Sequence, residues 1–229
     1  FSKNNFQKTV FDGMDLSGKD LSMTSFWYAS FKNTNLENAN LYWADLMKTD
    51  LSKIKNKSLA GADLTAASFL LANLSGVNMS DVVLSGTNFL KTDLSGVDFT
   101  KTKLITATVL EDSNLANSNF EGVNLSEEQL YSMTFENKAD LSPKQDIEVS
   151  VFNNRKAVKE IFGDVLDNVH IISTKVSGND LIVDWFFFNN FAHTNLENAN
   201  FKNASLFNVK FYSANLTNAD LSGADLRMT

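Results

Sequence analysis

Histidine and lysine side chains are the first candidates for acid–base or phosphate chemistry in this sequence. The two histidines, His170 and His193, lie in different sequence contexts, and a surface position explains each more simply than a catalytic base does. The basic stretch "KIKNK" contains Lys53, Lys55 and Lys57, and a solvated loop explains it more simply than a phosphate site. The sequence has no Walker loop, GxGxxG, HExxH or EF-hand loop.

Aspartates are numerous enough to suggest paired-carboxylate catalysis, but their sequence context points elsewhere. Each of the following directly precedes a Leu or Phe: Asp15, Asp45, Asp50, Asp63, Asp93, Asp98, Asp220 and Asp225. A carboxylate that recurs at one point of a short repeat is expected to accept a hydrogen bond from the turn backbone. Because the chain also lacks cysteine, thiol nucleophiles and cysteine metal sites are excluded. We predict a protein that is not an enzyme, with no catalytic residue, no metal site and no cofactor.

The elements that carry these residues follow a five-residue period. Leu, Phe or Met, which we call the centre of each unit, recurs at every fifth position in four runs: 6–51, 59–104, 110–125 and 191–226. Three extra residues at 53–57 and one near Thr106 shift the phase, and Leu130 and Phe135 continue it weakly. A five-residue period would rotate an apolar stripe by about 140° per unit around a helix, so no helical face would stay apolar.

The composition of each unit identifies the pattern. A small residue lies two positions before the centre and Asn or Asp one before it, as in "ADLSG" and "TDLSG". This A-[N/D]-L-x-x unit resembles the pentapeptide-repeat family, and the resemblance implies an all-β solenoid, a right-handed quadrilateral β-helix with four sides per coil. The centre and the small residue then point inward. Backbone bonds between coils explain why the only proline, Pro143, lies outside the repeats.

Stacking residues that are 20 apart predicts which centres lie above one another, about 4.8 Å apart. One predicted ladder contains Leu21, Leu41, Leu64, Leu84, Leu104 and Leu125. Another contains Phe6, Phe26, Leu46, Phe69, Phe89 and Leu110.

Residues 136–168 break the period. "DIEVSVF" alternates as a strand does, and "NNRKAVKEIFGDVLDN" predicts an amphipathic helix of about 13 residues. "LSEEQLYS" fits either a short capping helix or two degenerate repeats. Residues 169–190 fit a degenerate coil, which we favour, or a hairpin in the same register. We therefore predict a β-helix over 1–135, a strand-plus-helix insert over 136–168, and a degenerate coil followed by β-helix over 169–229.

The same stacking predicts apolar columns on the outside of the solenoid. One column begins at Trp27, and a second outward pair is Phe187 with Phe207. Exposed apolar columns need a cover, which is either the predicted helix or a partner. The candidate interaction surface contains Trp27, Met47, Leu70, Leu90, Tyr42, Trp43, Phe187, Phe207 and Tyr212.

Charge and composition limit the partners. A net charge of −7 and a pI near 4.8 disfavour direct nucleic-acid binding, which needs basic patches. No 18-residue apolar run exists, so no transmembrane segment is expected. Cytoplasmic location is favoured, and an exported form stays open because the chain begins at Phe1.

Three functions remain from these observations. The first is a non-catalytic scaffold that binds a protein partner, or a second copy, through an apolar face, an open solenoid end or the insert. The second follows from the resemblance, because some pentapeptide-repeat proteins mimic duplex DNA and bind type II topoisomerases such as gyrase. Lysines such as Lys48 and Lys91 interrupt the acidic residues, however. The third is an envelope-associated surface module.

Overall fold

The computed structural model describes residues 1–103, 108–125, 131–135, 169–177, 180–187, 191–207, 209–227 and 229. The chain divides into two compact units, one of Phe1–Ser126 with Asn189–Thr229, the other of Glu127–Phe188. Both predicted boundaries, after 135 and after 168, differ from this division. Residues 127–135 and 169–188 belong with the second unit rather than with the repeats.

The first unit is a stack of coils, and each coil has four five-residue sides. Single-residue parallel bridges join successive coils, such as Asn5 with Ser25 and Ser25 with Asp45. The amide of most centres donates to a carbonyl of the next coil, as from Phe6 to the Ser25 oxygen at 2.8 Å. Because such bonds recur on each side from one coil to the next, the backbone forms parallel hydrogen-bond ladders along the solenoid.

We number the sides in chain order from the first complete coil and define each by its centres. Sides 2 and 3 begin with Phe11 and Leu16. Side 1 contains Phe6, Phe26, Leu46, Phe69, Phe89, Leu110, Phe191 and Phe211. Side 4 contains Leu21, Leu41, Leu64, Leu84, Leu125, Leu206 and Leu226. The predicted ladder of side 1 is confirmed, and that of side 4 is confirmed through Leu84, since Leu104 lies outside the described residues.

The core consists of the centres and the small residues beside them. Leu46, Phe69 and Leu84 have no exposed surface, and Ala62 is equally buried. Phenylalanine rings stack between coils, for example Phe69 on Phe89 with ring centroids 5.2 Å apart. Burial of one such side chain contributes about 1.5–3 kcal/mol. The repeat therefore places one large side chain and one small one inward on each side.

The Asn or Asp before each centre closes the local turn. The Oδ1 atom of Asp63 accepts a hydrogen bond from the amide of Thr65 at 2.9 Å, and that of Asp45 accepts one from Met47 at 3.0 Å. This confirms the local role that the sequence predicts for these aspartates. Bonds from the Ser17 hydroxyl and amide also hold the pKa of Asp15 below its ordinary value.

The first phase shift is a short turn that leaves the solenoid intact. A 3₁₀ helix at Lys55–Lys57 absorbs the extra residues, and Ile54 points inward with 3% exposure. The ammonium of Lys53 bonds the Asp50 carboxylate at 2.6 Å on the surface, as a solvated loop would allow. The second shift falls at residues 104–107, which lie outside the described part.

The second unit contains three antiparallel strands in the order β1-β3-β2: β1 (Tyr131–Phe135), β2 (Val169–Ser177) and β3 (Asp180–Phe187). Residues 169–187 therefore form a hairpin, and the favoured degenerate coil is wrong. Its positions for small inward residues would have held Asn179 and Asp184, whereas antiparallel pairing needs no small residue. Phe135 pairs with Leu181 in β1, so it does not continue the repeat. The predicted strand near 147–151 and the predicted helix lie outside the described residues.

The repeats resume in register after this unit. Asn114 bridges Asn195, and the amide of Leu115 donates to the Asn195 carbonyl at 2.7 Å. Phe191 thus occupies the place on side 1 that follows Leu110. The solenoid continues as if the residues between Leu125 and Phe191 were absent.

Candidate interaction surface

Two turn residues follow each centre and form a corner of the coil. The amide of the third residue after the centre donates back to the centre's carbonyl, as from Thr9 to Phe6 at 3.1 Å. The second turn residue has a positive φ, for example 57° at Lys8. This is the turn position that favours Gly or Asn. We name each corner by the side that it follows, so side 1 lies between corners 4 and 1.

Corners 2 and 3 carry the residues that a left-handed backbone favours. Glycine and asparagine dominate, and the other residues with positive φ are one lysine and one aspartate. The positive-φ residues on corner 2 are Gly13, Asn33, Asn56 and Lys57 in the 3₁₀ turn, Gly76, Gly96, Asn117, Asn198 and Asn218. Those on corner 3 are Gly18, Asn38, Gly61, Asp81, Gly122, Asn203 and Gly223. These two corners fit the demands of the backbone.

Corners 1 and 4 carry large side chains at the same left-handed position. On corner 1 the residues are Lys8, Tyr28, Lys48, Leu71, Lys91, Asp112, His193 and Ser213. On corner 4 they are Lys3, Met23, Trp43, Ala66 and Gly86. A left-handed conformation costs a residue with a β-carbon about 1–2 kcal/mol. Unfavourable backbone states that persist without a packing reason are typical of functional surfaces.

The predicted column on corner 1 is continuous in space. Trp27, Met47, Leu70 and Leu90 are the first turn residues of four successive coils, and all four are partly exposed. Backbone bonds connect their coils: the amide of Tyr28 donates to the Met47 carbonyl at 3.1 Å and that of Lys48 to the Leu70 carbonyl at 3.0 Å. Corner 1 therefore presents an apolar column about four coils long.

Aromatic pairs flank side 1 at both of its corners. The rings of Trp27 and Tyr28 on corner 1 are 5.0 Å apart. On corner 4, Tyr42 and Trp43 stack with centroids 6.1 Å apart and an interplanar angle of 14°. Trp43 is 61% exposed, and its ring packs on Tyr42 rather than into the core. We call the following set the side-1 surface: Met23, Trp27, Tyr28, Tyr42, Trp43, Met47, Leu70, Leu71 and Leu90.

Lysines alternate with the apolar residues along corner 1. The ammonium of Lys48 lies 5.0 Å from the centre of the Tyr28 ring and donates to its hydroxyl at 2.9 Å. Lys91 forms a long ion pair with Asp112 at 3.8 Å. Among the described residues, no carboxylate lies within 4.0 Å of the ammonium groups of Lys8 and Lys48. This part of an acidic protein is locally basic.

The other three candidate residues lie on later coils or in the second unit. Tyr212 is on corner 1 in a later coil, 73% exposed and edge-on to His193. Phe207 is on corner 4, partly exposed, with the Arg227 guanidinium 5.9 Å from its ring centre. Phe187 pairs with Val169 in the strands of the second unit. The predicted stacking of Phe187 on Phe207 is wrong, because the coil neighbours of Leu206 are the coils of Leu125 and Leu226.

Met23 extends the surface beyond the residues predicted from sequence, whereas Tyr28 and Leu71 follow from the same stacking as the column next to Trp27. Each occupies the second turn position, and Tyr28 and Leu71 are close to half exposed. The signal was present in the sequence, because the repeat phase alone identifies every second turn residue. A large side chain there stands out only when the left-handed backbone is considered.

Within the described ranges, no group of three or more His, Cys, Asp or Glu residues could hold a metal ion. An open hollow of about 490 Å³ is lined by Phe211, Tyr212, Leu216, Leu221, Leu226 and Thr229, none of them charged. The described part of the chain contains no helix that is long and apolar enough to cross a bilayer.

Comparison with known proteins agrees with this architecture. The family model of pentapeptide repeats matches eight copies over residues 20–52, 53–81, 78–108 and 190–227, more than half of the chain. The structure is similar to HetL, a pentapeptide repeat protein involved in heterocyst differentiation regulation in the cyanobacterium Nostoc sp. strain PCC 7120. The TM-score of this match is 0.67 at 22% sequence identity, and the match covers 100% of this chain and 74% of HetL.

Two further structures are similar at scores too low to support an argument. QnrB1, a plasmid-mediated fluoroquinolone resistance protein, gives a TM-score of 0.38 at 13% identity over 98% of this chain and 90% of QnrB1. Rfr23 from the cyanobacterium Cyanothece 51142 gives 0.21 at 21% identity over 50% of this chain and 82% of Rfr23. No curated protein sequence matches the chain significantly.

Members of this family fold as right-handed quadrilateral β-helices, and the four-sided coils of this chain agree with that architecture. The similarity to HetL supports the fold alone, since the identity is low. The repeat sequence, the coil geometry and the family match agree, and the chain belongs to the pentapeptide-repeat family.

Proposed function

We propose that the protein is a non-catalytic interaction module that binds a protein partner through the side-1 surface. The observation that carries this proposal is the unequal distribution of residues over four equivalent corners. Corners 2 and 3 hold mainly Gly and Asn where φ is positive, whereas corners 1 and 4 include Tyr28, Leu71 and Trp43. Nothing in the turn itself favours these three residues.

Their exposure separates an interaction role from a packing role. Tyr28, Trp43 and Leu71 are 45%, 61% and 46% exposed, so burial within their own coil does not offset the backbone cost. A partner that covered these three side chains would bury them and so offset the backbone cost. Tryptophan and tyrosine are also the residues that most often dominate binding energy at protein interfaces.

The first candidate for the partner is another protein, and a second copy of this chain is the alternative occupant. A homodimer would bury the same residues in both subunits, because a two-fold interface uses one patch twice. Phe207 and Tyr212 lie on later coils and Phe187 lies in the second unit, so we leave these three out of the proposed contact.

DNA mimicry receives no specific support from the charges. On side 4, the outward positions of successive coils hold Asp20, Asn40, Asp63, Val83 and Lys103. Neutral residues separate the two carboxylates, and the column ends in a lysine. A duplex mimic would need regularly spaced carboxylates, since phosphates repeat evenly along DNA. The envelope-associated alternative likewise has no observation in its favour.

The test is capture of a partner with matched variants of the full chain. Immobilised wild-type protein, Leu70→Ser and Trp43→Ser would be compared with Ala116→Ser, which changes the turn position equivalent to Leu70 on polar corner 2. We expect a partner that wild type and Ala116→Ser retain and the other two variants lose. Its affinity would then be measured with the purified partner and the same four proteins.

Light scattering over a concentration series decides between the two occupants. A dimer that dissociates in Leu70→Ser and Trp43→Ser would identify the second copy as the occupant. If the purified partner binds all four proteins equally, and all four have the mass of a monomer, the proposed surface is wrong.

A further inference from the structure

We infer that the segment docking on corner 1 is an amphipathic α-helix with acidic residues beside its apolar stripe, lying along the solenoid. This inference rests on the proposed function and specifies the class of partner. Its basis is the spacing of the column Trp27, Met47, Leu70 and Leu90 and the lysines that accompany it.

The spacing of the column matches a helix better than a strand. Successive coils are about 4.8 Å apart, the distance between bonded strands. Residues three or four apart on a helix are about 4.5–6 Å apart along its axis, so one apolar residue per turn meets one coil. Residues on one face of a strand are about 6.6 Å apart, and they fall out of phase by the second coil.

The length of the column also sets the length of the helix. Four coils span about 14 Å between the first and the last side chain. A helix covers that distance in about ten residues, or three turns. The docking segment would present apolar residues at i, i+3 or i+4, i+7 and i+10 or i+11, the pattern of helices that bind in grooves.

The charges select an acidic helix. From Gln7 to Lys91, the turn residues of corner 1 include Lys8, Lys48 and Lys91 and no carboxylate, although the whole chain has a net charge of −7. Glu111 and Asp112 follow on the next coil, and Asp112 pairs with Lys91 at 3.8 Å, so Lys8 and Lys48 are the corner-1 lysines without an ion pair among the described residues. The lysines occupy the second turn position, beside the apolar column. The nearby Asp45 on side 1 accepts a hydrogen bond from the amide of Met47 within its own turn. Complementary charge would therefore come from Glu or Asp flanking the apolar stripe of the partner.

The aromatic pair of corner 4 limits where the helix can lie. Tyr42 and Trp43 stand at the opposite edge of side 1 from the column. A helix with side chains is about 10–12 Å wide, comparable to one side of the coil. The helix would therefore rest on corner 1 and extend over side 1 toward Trp43.

Three synthetic peptides of equal length test the inference by fluorescence anisotropy with the full-length protein. The first is a helix with a leucine stripe flanked by glutamates. The second replaces those glutamates by lysines, and the third alternates leucine with glutamate so that it forms a strand. We expect the acidic helix to bind about tenfold more tightly than either control, because the first control reverses the charges and the second misaligns the apolar residues with the coils.

Protein variants connect binding to corner 1. Leu70→Ser should weaken the acidic helix about tenfold, while Ala116→Ser should bind it as wild type does. The double change Lys48→Glu and Lys91→Glu should reverse the preference in favour of the lysine peptide. Both residues are exposed, so this variant is expected to fold, and its circular dichroism would confirm that.

Two results would overturn the inference and leave the proposed function standing. One is binding of the strand peptide in preference to the acidic helix, with the same loss in Leu70→Ser. The other is failure of the acidic helix to bind while the partner retained by wild type still depends on Leu70. A third result is equal binding of the acidic helix peptide to wild type, Leu70→Ser and the double lysine variant, with the lysine peptide binding equally well. That result would overturn both the acidic helix as the docking segment and corner 1 as its site.

Discussion

Corners 1 and 2 have the same backbone and different residues. At both corners the second turn residue has positive φ, with Leu71 at 60° and Gly96 at 69°. At both, backbone amides bond the next coil, from Leu71 to Leu90 at 3.2 Å and from Gly96 to Ala116 at 2.9 Å. Corner 2 uses Gly and Asn there, and corner 1 uses lysine, tyrosine and leucine. The fold therefore does not determine which residue occupies the turn.

This difference shows where a repeat protein can carry specificity. The inward positions are limited by the width of the shaft, and the Asn or Asp position is limited by its bond to the turn amide. Only the two turn residues face solvent without such a limit. Corners 2 and 3 satisfy the backbone, whereas corners 1 and 4 depart from it at some expense of stability.

The largest expected effect tests the contrast between inward and corner residues in one repeat. Phe69→Ala removes a fully buried ring that stacks on Phe89, and we expect a loss of about 3–5 kcal/mol in the free energy of unfolding. Leu70→Ser, one residue later on the corner, should lose less than about 1 kcal/mol. Urea unfolding followed by circular dichroism measures both. Equal losses would mean that the corner residue belongs to the core.

A second change gives corner 2 the residue type of corner 1. In Gly96→Leu the new side chain meets no atom within 4 Å of its β-carbon, so only the left-handed backbone resists it. We expect the free energy of unfolding to fall by about 1–2 kcal/mol. The urea midpoint against wild type measures this loss. An unchanged midpoint would remove the energetic part of the comparison between corners.

The reverse change gives corner 1 the residue type of corner 2. Leu71→Asn places a side chain that tolerates positive φ at a position that is 46% exposed, and the free energy of unfolding should rise by up to about 1 kcal/mol. Affinity for the captured partner should fall at the same time. Thermal unfolding and a binding titration on the same sample check both signs. A variant that loses stability would show that Leu71 contributes to packing.

The smallest expected effect is a loss of stability in acid, which comes from the aspartates that accept hydrogen bonds in the turns. The pKa of Asp50 lies below its ordinary value, since bonds from Lys53 and Ser52 outweigh the burial that raises it. Bonds from Arg227 lower the pKa of Asp225 to about 2. A lowered pKa means that the folded state prefers the charged form, so this stability is present above pH 3.8 and is lost as the pH falls toward 2.

Urea midpoints at pH 5, 4, 3 and 2 would show this decline, and Asp225→Asn should flatten part of it. A decline centred between pH 7 and 5 instead would contradict the assignment of acid stability to the aspartates.

Much of the solenoid could be predicted from sequence, because each unit is nearly self-contained. The small residue, the Asn or Asp and the centre identify the inward positions within five residues, and the stacked centres from Phe6 to Leu110 follow by counting. The counting failed where local rules no longer applied. Residues 169–187 keep a large residue at every fifth position, yet they pair as a hairpin, since strand pairing is decided by a partner distant in sequence.

The candidate surface could be predicted only in part. Trp27, Met47, Leu70 and Leu90 follow from the repeat phase and lie together in the structure. Met23 was missed, because its position is unusual only in relation to the sign of φ at the second turn residue. Phe187 was included for its spacing of 20 residues from Phe207, a spacing without meaning outside the coils.

The sequence by itself determined the five-residue unit, the inward residues and the local turn bonds, because all of these form among neighbours in the chain. The tertiary structure decided which turn residues share a corner across the interruption, through the bridge between Asn114 and Asn195. It also decided that the second turn residue has a positive φ, which is unfavourable for the large side chains of corners 1 and 4. These properties depend on the stacking of whole coils, and no single repeat contains that information.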